Sequence, residues 1–330
     1  MWRAARALWT AGIVIAGLVS LVGSGGGLGF PPCDADWCDA TPLPPQPTAA
    51  VQPRYLTALV GTAVLFTAQT SHFSGTVSYQ WSRSSDGGTT YADIPGATAI
   101  SHSVPAVNLA DDGAVYRVLA RGSDASARYA WAHLAVASSP GVVIQDDDFQ
   151  PGPWQATARA NPSGVLPVHT ESRETSGGNP AAWWKLVFEI PQGAGWASVS
   201  YLRTDATYDP ASQGAVYVID YAEDCRALQA SDTMSVDSAL LLEQAGRLYA
   251  AFEGTSCAST AWAPGATRAS YAARDFNLVA GPACGTAEAC PDFTAGAAPL
   301  RFGFRRIALG LPGDPVGHGI DNWAVTVWRR

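Results

Sequence analysis

The stretch from Val77 to Gly88, VSYQWSRSSDGG, indicates the fold class of the chain. Its first seven residues have the composition of a β-strand. Ser85-Asp86-Gly87-Gly88 then supplies residues that favour a tight turn. A short strand followed at once by such a turn is typical of an antiparallel sheet.

The same pattern continues on both sides of this stretch. Further strands are predicted at 59–68, 114–120 and 129–136, and Ile94-Pro95-Gly96 is another turn signal. Strands of this length and spacing predict a β-sandwich over residues 51–138.

Two motifs give this region a specific resemblance. Tyr79-Gln80-Trp81 resembles strand C of an immunoglobulin-like domain, with Trp81 as its core tryptophan. The segment 112–116, DGAVY, resembles the tyrosine corner at the start of strand F, and 93–98 resembles bacterial members of this group that occur in exported proteins. Val118 and Phe66 stand where antibody domains carry cysteines, so the resemblance implies a core without a disulfide.

Residues 139–330 are predicted to form a second and larger β unit. Strands are expected at 142–144, 154–158, 184–190, 197–203, 215–221, 247–253, 276–279, 300–309 and 320–328. In the last of these, Trp323, Val325 and Val327 share one face and are expected in the core. The segment 238–252 has a helical composition, but Gln244-Ala245-Gly246 favours two strands joined by a hairpin turn.

Three segments of this second unit resemble jelly-roll sandwiches of the concanavalin-like or carbohydrate-binding-module kind in exported bacterial proteins. They are 177–180 (GGNP), 208–215 (YDPASQGA) and 319–322 (GIDN). The expected fold class is therefore all-β, with an immunoglobulin-like sandwich followed by a larger jelly-roll-like sandwich.

The N-terminal 50 residues have the features of an export leader and a spacer. Two arginines precede an uncharged run over 7–23, so 1–24 is predicted to be a signal peptide. The run resembles a bacterial lipoprotein signal, but Ser24 stands where the lipidated cysteine would be. Residues 25–50, rich in Gly and Pro, are expected to be a linker.

Six cysteines agree with export, because an even number in an exported chain indicates disulfides. Fifteen pairings are possible. The simplest is sequential, with Cys33–Cys38, Cys225–Cys257 and Cys284–Cys290. A zinc site is the competing interpretation, but no Cys-x2-Cys spacing and no nearby histidine support it.

Charge excludes one class of partner. The 330 residues carry 20 basic and 28 acidic side chains, a net charge of −8. A nucleic-acid partner would require a basic stripe, so none is expected. Membrane contact is expected only through an uncleaved leader, and the expected location is secreted, periplasmic or at a bacterial cell surface.

Asp146, Asp147 and Asp148 open the second unit, and Asp321 lies near its end. The first and last strands of a jelly roll are often neighbours, and carboxylates are the hard oxygen ligands that calcium prefers. A structural calcium ion is therefore one hypothesis, and a solvated acidic turn is the other.

Aromatic residues are plentiful in the second unit: Trp154, Trp183, Trp184, Trp196, Tyr201, Tyr208, Tyr217, Trp262, Trp323 and Trp328. Sugar rings can stack on exposed aromatic faces. Trp183 and Trp184 must point to opposite faces of a strand, so one of them is a candidate for exposure. Trp183, Trp184 and Tyr208 are the predicted ligand-binding residues, with burial in the core as the alternative for each.

Catalysis has little support in the sequence. A glycosidase needs two suitably placed carboxylates, and Glu171 and Glu174 are expected to decorate a loop. Gly-x-Ser-x-Gly is absent, and His318 between two glycines is expected to be a loop residue without a role.

The leading hypothesis is an exported, non-catalytic binding or adhesion protein, with a glycan or a surface protein as partner. A purely structural surface protein and a carbohydrate-active enzyme are the alternatives. A face with exposed tryptophan and tyrosine would favour binding over scaffolding.

Overall fold

A computed structural model describes residues 44–330, apart from 160–163, 194, 231–233, 266, 286–289 and 314, and gives only the backbone for 252–256. The predicted leader, most of the predicted linker and the Cys33–Cys38 pair lie outside these residues. Gln46–Arg330 form one compact unit. None of the helices in the described part of the chain combines the length and apolar character needed to span a membrane.

The first part of this unit contains eight strands. They are β1 (Thr48–Gln52), β2 (Tyr55–Leu59), β3 (Val64–Ser71), β4 (Ser78–Ser84), β5 (Ala92–Asp93), β6 (Ser101–Val104), β7 (Val115–Arg121) and β8 (Ala127–Ala137). A 3-10 helix, Leu109–Asp111, precedes β7 and is capped by the Asn108 side chain.

These strands form an immunoglobulin-like sandwich. One sheet has the order β1-β3-β6, and the other has the order β2-β8-β7-β4-β5. All pairs are antiparallel except β2 with β8, which are parallel. Chain order therefore gives the strands A, B and E in one sheet and A′, G, F, C and C′ in the other, the arrangement of the immunoglobulin fold.

The core of this first sandwich is apolar, as expected. Trp81, Phe66 and Val118 are fully buried. Tyr116 is also buried, and its ring stacks on Phe66 with 5.0 Å between centroids. The positions occupied by cysteines in antibody domains thus contribute side-chain packing here.

The second part of the unit contains the remaining thirteen strands of the described chain. They are β9 (Ser139–Asp146), β10 (Trp154–Arg159), β11 (Val168–Glu174), β12 (Trp183–Glu189), β13 (Trp196–Tyr208), β14 (Val218–Ala227), β15 (Ser235–Gln244), β16 (Arg247–Ser256), β17 (Ala263–Pro264), β18 (Arg268–Tyr271), β19 (Asn277–Leu278), β20 (Leu300–Leu309) and β21 (Pro315–Arg329). A short helix, α1 (Pro210–Gln213), and a 3-10 helix, Ala273–Asp275, lie between strands.

Two antiparallel sheets make this second sandwich. The first has the order β10-β13-β20-β15-β16-β19. The second has the order β11-β12-β21-β14-β17, with β18 beside β14 and β9 beside β21. Side chains from both sheets fill one apolar core.

Several sequence predictions for this sandwich are confirmed. Trp323, Val325 and Val327 of β21 all lie in the core. The segment 238–252 belongs to the hairpin of β15 and β16, and its turn residues Ala245 and Gly246 both have positive φ. Two predictions were wrong, because Glu171 and Glu174 lie in strand β11 and His318 lies in strand β21.

A charged network crosses the core between the two sheets. Arg306 and Glu223 form an ion pair at 2.9 Å, with both side chains fully buried. Arg306 also donates hydrogen bonds to His318 Nε2, at 3.0 Å, and to Ser238. Tyr221 donates to Glu223 at 2.5 Å. His318 is thus a buried partner of Arg306.

Two disulfides confirm two of the three predicted pairings. Cys225 on β14 bonds to Cys257 just after β16, with 5.7 Å between their Cα atoms, and so joins the two sheets. Cys284 bonds to Cys290 and closes a short loop.

The two sandwiches meet through buried polar contacts. Thr57 of β2 donates to Asp220 of β14 at 2.6 Å, and the Trp328 indole donates to the same carboxylate at 2.8 Å. Asp112 accepts hydrogen bonds from Tyr217 and Arg330. Burial raises the pKa of Asp220, while its hydrogen-bond donors oppose that shift.

Candidate functional site

The second sandwich has an opening between β10, an edge strand of one sheet, and β11, an edge strand of the other. On β12, the core-facing residues Phe188, Leu186 and Trp184 are apolar. Their register partners on β11 are His169, Glu171 and Arg173. Because paired residues project to the same side of a sheet, three polar side chains line the inner face of β11.

A cavity of about 210 Å³ occupies this opening. Its apolar walls include Trp184 and Trp154, whose ring centroids lie 5.5 Å apart. Its polar walls include Glu171 and Arg173. We call this cavity the edge pocket, and its full lining is Phe149, Gln150, Pro151, Gly152, Trp154, Glu171, Ser172, Arg173 and Trp184.

Glu171 is the carboxylate of the edge pocket. Burial raises the pKa of Glu171, while the charge of His169 opposes the shift. Within the described residues, this carboxylate forms no ion pair or hydrogen bond. It therefore remains available to accept a hydrogen bond from a hydroxyl-bearing ligand.

A buried phenol lies beside this carboxylate. Tyr201 of β13 is fully buried, and its hydroxyl has no hydrogen-bond partner among the described residues. Burial and the charge of Glu171 both raise the pKa of Tyr201. The Tyr201 ring meets Trp184 edge-on, at 5.1 Å between centroids, and His169 in the same way at 6.3 Å.

The predicted acidic turn forms one end of the edge pocket. Asp146 accepts hydrogen bonds from the Trp154 indole and the Phe149 backbone N–H, both at 2.8 Å, and lies 3.2 Å from Arg203. These contacts fix the orientation of the Trp154 ring. The carboxylate therefore positions a pocket wall.

Asp148 ties the same turn to β11. Its backbone carbonyl accepts from Arg173 Nε at 2.6 Å, and its carboxylate pairs with the Arg173 guanidinium. Hydrogen bonds from Gln150 and Arg173 hold the pKa of Asp148 below its ordinary value. Arg173 thus links the turn to the wall that carries Glu171.

The remaining predicted calcium ligands lie elsewhere on the turn and at β21. Asp147 is exposed, whereas Asp321 is buried and accepts hydrogen bonds from the backbone of Asn179, at 2.5 Å, and of Asn322, at 2.8 Å. Burial raises the pKa of Asp321, and the charges of Asp224 and Asp147 add to this shift.

The structure engages three of the four predicted carboxylates in other contacts, and the structural calcium ion stays a prediction. Asp146 and Asp148 already pair with arginines, and Asp321 is bound by backbone amides. In the described chain, three ligating side chains come within 4.8 Å of one another only at Glu223, Cys225 and Cys257. Both of those cysteines are in a disulfide, so neither supplies a thiolate.

The structure separates the three predicted ligand-binding aromatics. Trp184 lies at the base of the edge pocket, with 7% of its surface exposed. Tyr208 is fully buried, and its hydroxyl donates to the Gly214 carbonyl at 2.7 Å, so it offers no face to a ligand. Trp183 lies outside the core, against Trp262 and the Arg226 guanidinium, and is 4% exposed.

Three larger cavities, of about 360, 410 and 550 Å³, lie at the junction of the two sandwiches, and the two largest share Tyr55 and Arg268. Their main groups are already engaged. Arg268 pairs with Asp275 at 3.4 Å and stacks on Tyr55, whose ring also stacks on His133. By contrast, the edge pocket combines aromatic walls with the carboxylate of Glu171, which forms no ion pair or hydrogen bond within the described residues. We therefore place the candidate site there.

Sequence reasoning missed the wall formed by β11. His169, Glu171 and Arg173 recur at every second position, which is the spacing of side chains on one face of a strand. The alternation of these residues was the available signal for a strand. It was hard to recognise because the residues on the inner face of this strand are polar.

No protein-family model matches the chain, and no curated protein matches it. Two crystal structures of the N-terminal four Ig domains of Dscam1, isoforms 4.44 and 7.44, align with it at 20% and 23% identity and a TM-score of 0.23. Each alignment covers 28% of this chain and 21% of that chain, so the chain spans about a fifth of those structures.

A third match is to a structure titled "Structural basis of T cell specificity and activation by the bacterial superantigen toxic shock syndrome toxin-1". It has 12% identity and a TM-score of 0.24, and covers 27% of this chain and 98% of that chain. The fold assignment comes from the sheet order given above. The chain is an all-β protein that contains an immunoglobulin-like β-sandwich.

Proposed function

We propose that the protein is an exported, non-catalytic binding protein that holds one sugar ring of a glycan in the edge pocket. The observation that carries this proposal is the combination of two tryptophan walls, Trp154 and Trp184, with the carboxylate of Glu171 and the guanidinium of Arg173. Aromatic faces attract the C–H faces of a sugar, and the polar groups fix its orientation.

The size of the cavity supports a small occupant. Drug-sized ligands occupy pockets of roughly 300–1,000 Å³. The edge pocket, at about 210 Å³, suits a single ring at the end or side of a glycan chain.

Binding is favoured over hydrolysis by the carboxylates that line the cavity. Glycosidases place two carboxyl groups roughly 5–10 Å apart around the scissile bond. Among the described lining residues, Glu171 is the one carboxylate, and neighbouring Asp148 is paired with Arg173.

Export is part of the proposal. The apolar leader at 1–24 supports it, and so do the disulfides Cys225–Cys257 and Cys284–Cys290, which are characteristic of oxidising compartments. The expected place is the periplasm, the surface or the surroundings of a bacterial cell. The jelly-roll resemblance of the second sandwich belongs to the same proposal, since such modules often bind carbohydrate.

The test is affinity electrophoresis of the full chain, made in an oxidising host, through gels that contain a panel of polysaccharides. Glu171→Gln should weaken retardation on the retained polymer by about tenfold, since a charged hydrogen bond contributes roughly 1.5–3 kcal/mol. Glu174→Gln is the matched control, because Glu174 lies on the same strand and, as the register partner of Trp183, projects to the opposite side from Glu171.

Each outcome decides between the alternatives. Retardation lost in Glu171→Gln and kept in Glu174→Gln supports the edge pocket. No retardation of the parent protein on any polymer would favour the scaffold hypothesis. Release of reducing ends from a polymer would favour the enzyme.

A further inference from the structure

The first sandwich carries exposed aromatic residues on the outer face of its larger sheet. Along β8, Ala130 and Ala132 face the core, while Tyr129 and Trp131 face outward. Each of these two aromatics is 45% exposed, and their ring centroids lie 6.4 Å apart. Adjacent exposed aromatic rings on a soluble domain are a signature of an interaction site.

An arginine lies within the same face. Arg117 of β7 is the register partner of Trp131. Its guanidinium carbon lies 3.9 Å from the centre of the Tyr91 ring and 4.5 Å from that of Tyr129. The cation is therefore held between two tyrosines. We call Tyr91, Arg117, Tyr129 and Trp131 the aromatic face.

The charge of Arg117 is not neutralised locally. Within the described residues it forms no ion pair, and its Nε is buried without a hydrogen-bond partner. Among the described arginines of the first sandwich, Arg83 does form an ion pair, with Asp111 at 2.9 Å. An anionic group on a partner would complete the site.

The net charge of the first sandwich is compatible with an acidic partner. Residues 48–137 contain five arginines, five aspartates and no lysine or glutamate, so the first sandwich has no net charge. The net charge of −8 resides in the rest of the chain. An acidic polymer would therefore meet less repulsion at the aromatic face than at the second sandwich.

We propose that the aromatic face binds an acidic polysaccharide, one whose sugars carry carboxylates. Successive sugar rings stack on Tyr129 and Trp131, and a sugar carboxylate pairs with Arg117. The face is an open sheet surface with its two rings in line along one strand, which suits an extended chain of repeating flat rings. This surface is separate from the edge pocket, and the proposal does not depend on that pocket.

The test is affinity electrophoresis of the full chain on polygalacturonate, with a neutral glucan as the comparison polymer. The parent protein should be retarded by polygalacturonate, and added salt should weaken that retardation. Trp131→Ala should weaken it by about tenfold, and Arg117→Gln should remove the preference for the acidic polymer over the neutral one.

The matched control is Leu65→Ala. Leu65 is 55% exposed on β3, in the other sheet of the same sandwich, so its substitution should leave binding unchanged. Thermal unfolding of each variant verifies that the fold is intact. Glu171→Gln separates the two proposals, because it should affect the edge pocket and leave retardation by polygalacturonate unchanged.

Three results would overturn the proposal. The first is a parent protein that moves freely through polygalacturonate. The second is a folded Trp131→Ala variant that is retarded as strongly as the parent. The third is self-association of the parent that Trp131→Ala abolishes, which would assign the face to a second copy of the chain.

Discussion

The buried charge network allows a quantitative prediction about stability. Arg306→Met removes the cation that faces Glu223, His318 and Ser238 inside the second sandwich. Methionine fills much of the volume but donates no hydrogen bond. Three buried acceptors then lose a donor, while Glu223 keeps its hydrogen bond from Tyr221.

The expected cost is about 3–5 kcal/mol in the free energy of unfolding, the usual cost of leaving one buried charge without its partner. Three unsatisfied buried groups at about 1–3 kcal/mol each would together cost about 3–9 kcal/mol, and the lower part of this sum agrees with the expected cost. Urea titration followed by circular dichroism measures the loss as a lower midpoint of unfolding.

A double variant distinguishes lost pairing from lost packing. Glu223→Leu added to Arg306→Met removes the carboxylate that has lost its ion-pair partner, and it should restore most of the lost stability, since hydrophobic replacement of a complete buried pair is often neutral. A cost below about 1 kcal/mol for Arg306→Met alone, or a double variant less stable than the single one, would contradict this prediction.

Three further predictions concern the same molecule. Replacing Cys225 and Cys257 by alanine should lower the free energy of unfolding by about 3–4 kcal/mol, because the disulfide closes a loop of 32 residues; calorimetry under non-reducing conditions measures this. Burial and the charge of Arg306 hold the pKa of His318 well below 6.5, so below about pH 6.5 the unfolded chain binds a proton that the folded chain does not. The free energy of unfolding should therefore fall as the pH drops from 6.5, by up to ~1.4 kcal/mol per pH unit, and it should fall less steeply in His318→Gln. Urea titrations at several pH values measure both slopes. Equal slopes of unfolding free energy against pH in the parent and the variant would contradict the prediction. Because burial raises the pKa of Glu171 above 4.5, glycan retardation should weaken as the pH falls through that raised value, whereas Glu171→Gln should show weak retardation that is independent of pH.

The immunoglobulin-like sandwich could be predicted from sequence because local signals and core packing agree there. Trp81 and Phe66 stand at positions that are buried in the structure, and turn residues separate the strands. The turn at Ala245 and Gly246 is a similar case. The segment 238–252 has a helical composition, yet it forms a hairpin in which Ala245 and Gly246 have positive φ, a region that glycine adopts at no steric cost.

The edge pocket was harder to predict, for a physical reason. An edge strand that lines a solvent-open cavity does not need an apolar inner face, so β11 lacks the alternation that reveals other strands. His169, Glu171 and Arg173 therefore resembled a polar loop. The burial of His318 was missed for a related reason. Only the fold brings Arg306 next to it, and the hydrogen bond from Arg306 compensates for burial of the imidazole.

Aromatic residues show the same limit. Trp183, Trp184 and Tyr208 have motifs around them that suggest binding, yet all three are buried. Tyr129 and Trp131, within a predicted strand, are the aromatics with the largest exposed fractions among the described residues. The alternation of residues shows which side chains share one face of a strand. Which of the two faces meets solvent depends on where the partner sheet packs.

A crystal structure of the chain with an oligosaccharide from the retained polymer tests most directly whether the edge pocket holds a sugar ring. We expect a sugar ring stacked on Trp154, with a hydroxyl within hydrogen-bond distance of Glu171. An oligosaccharide bound elsewhere on the second sandwich, with the edge pocket holding only water, would contradict it.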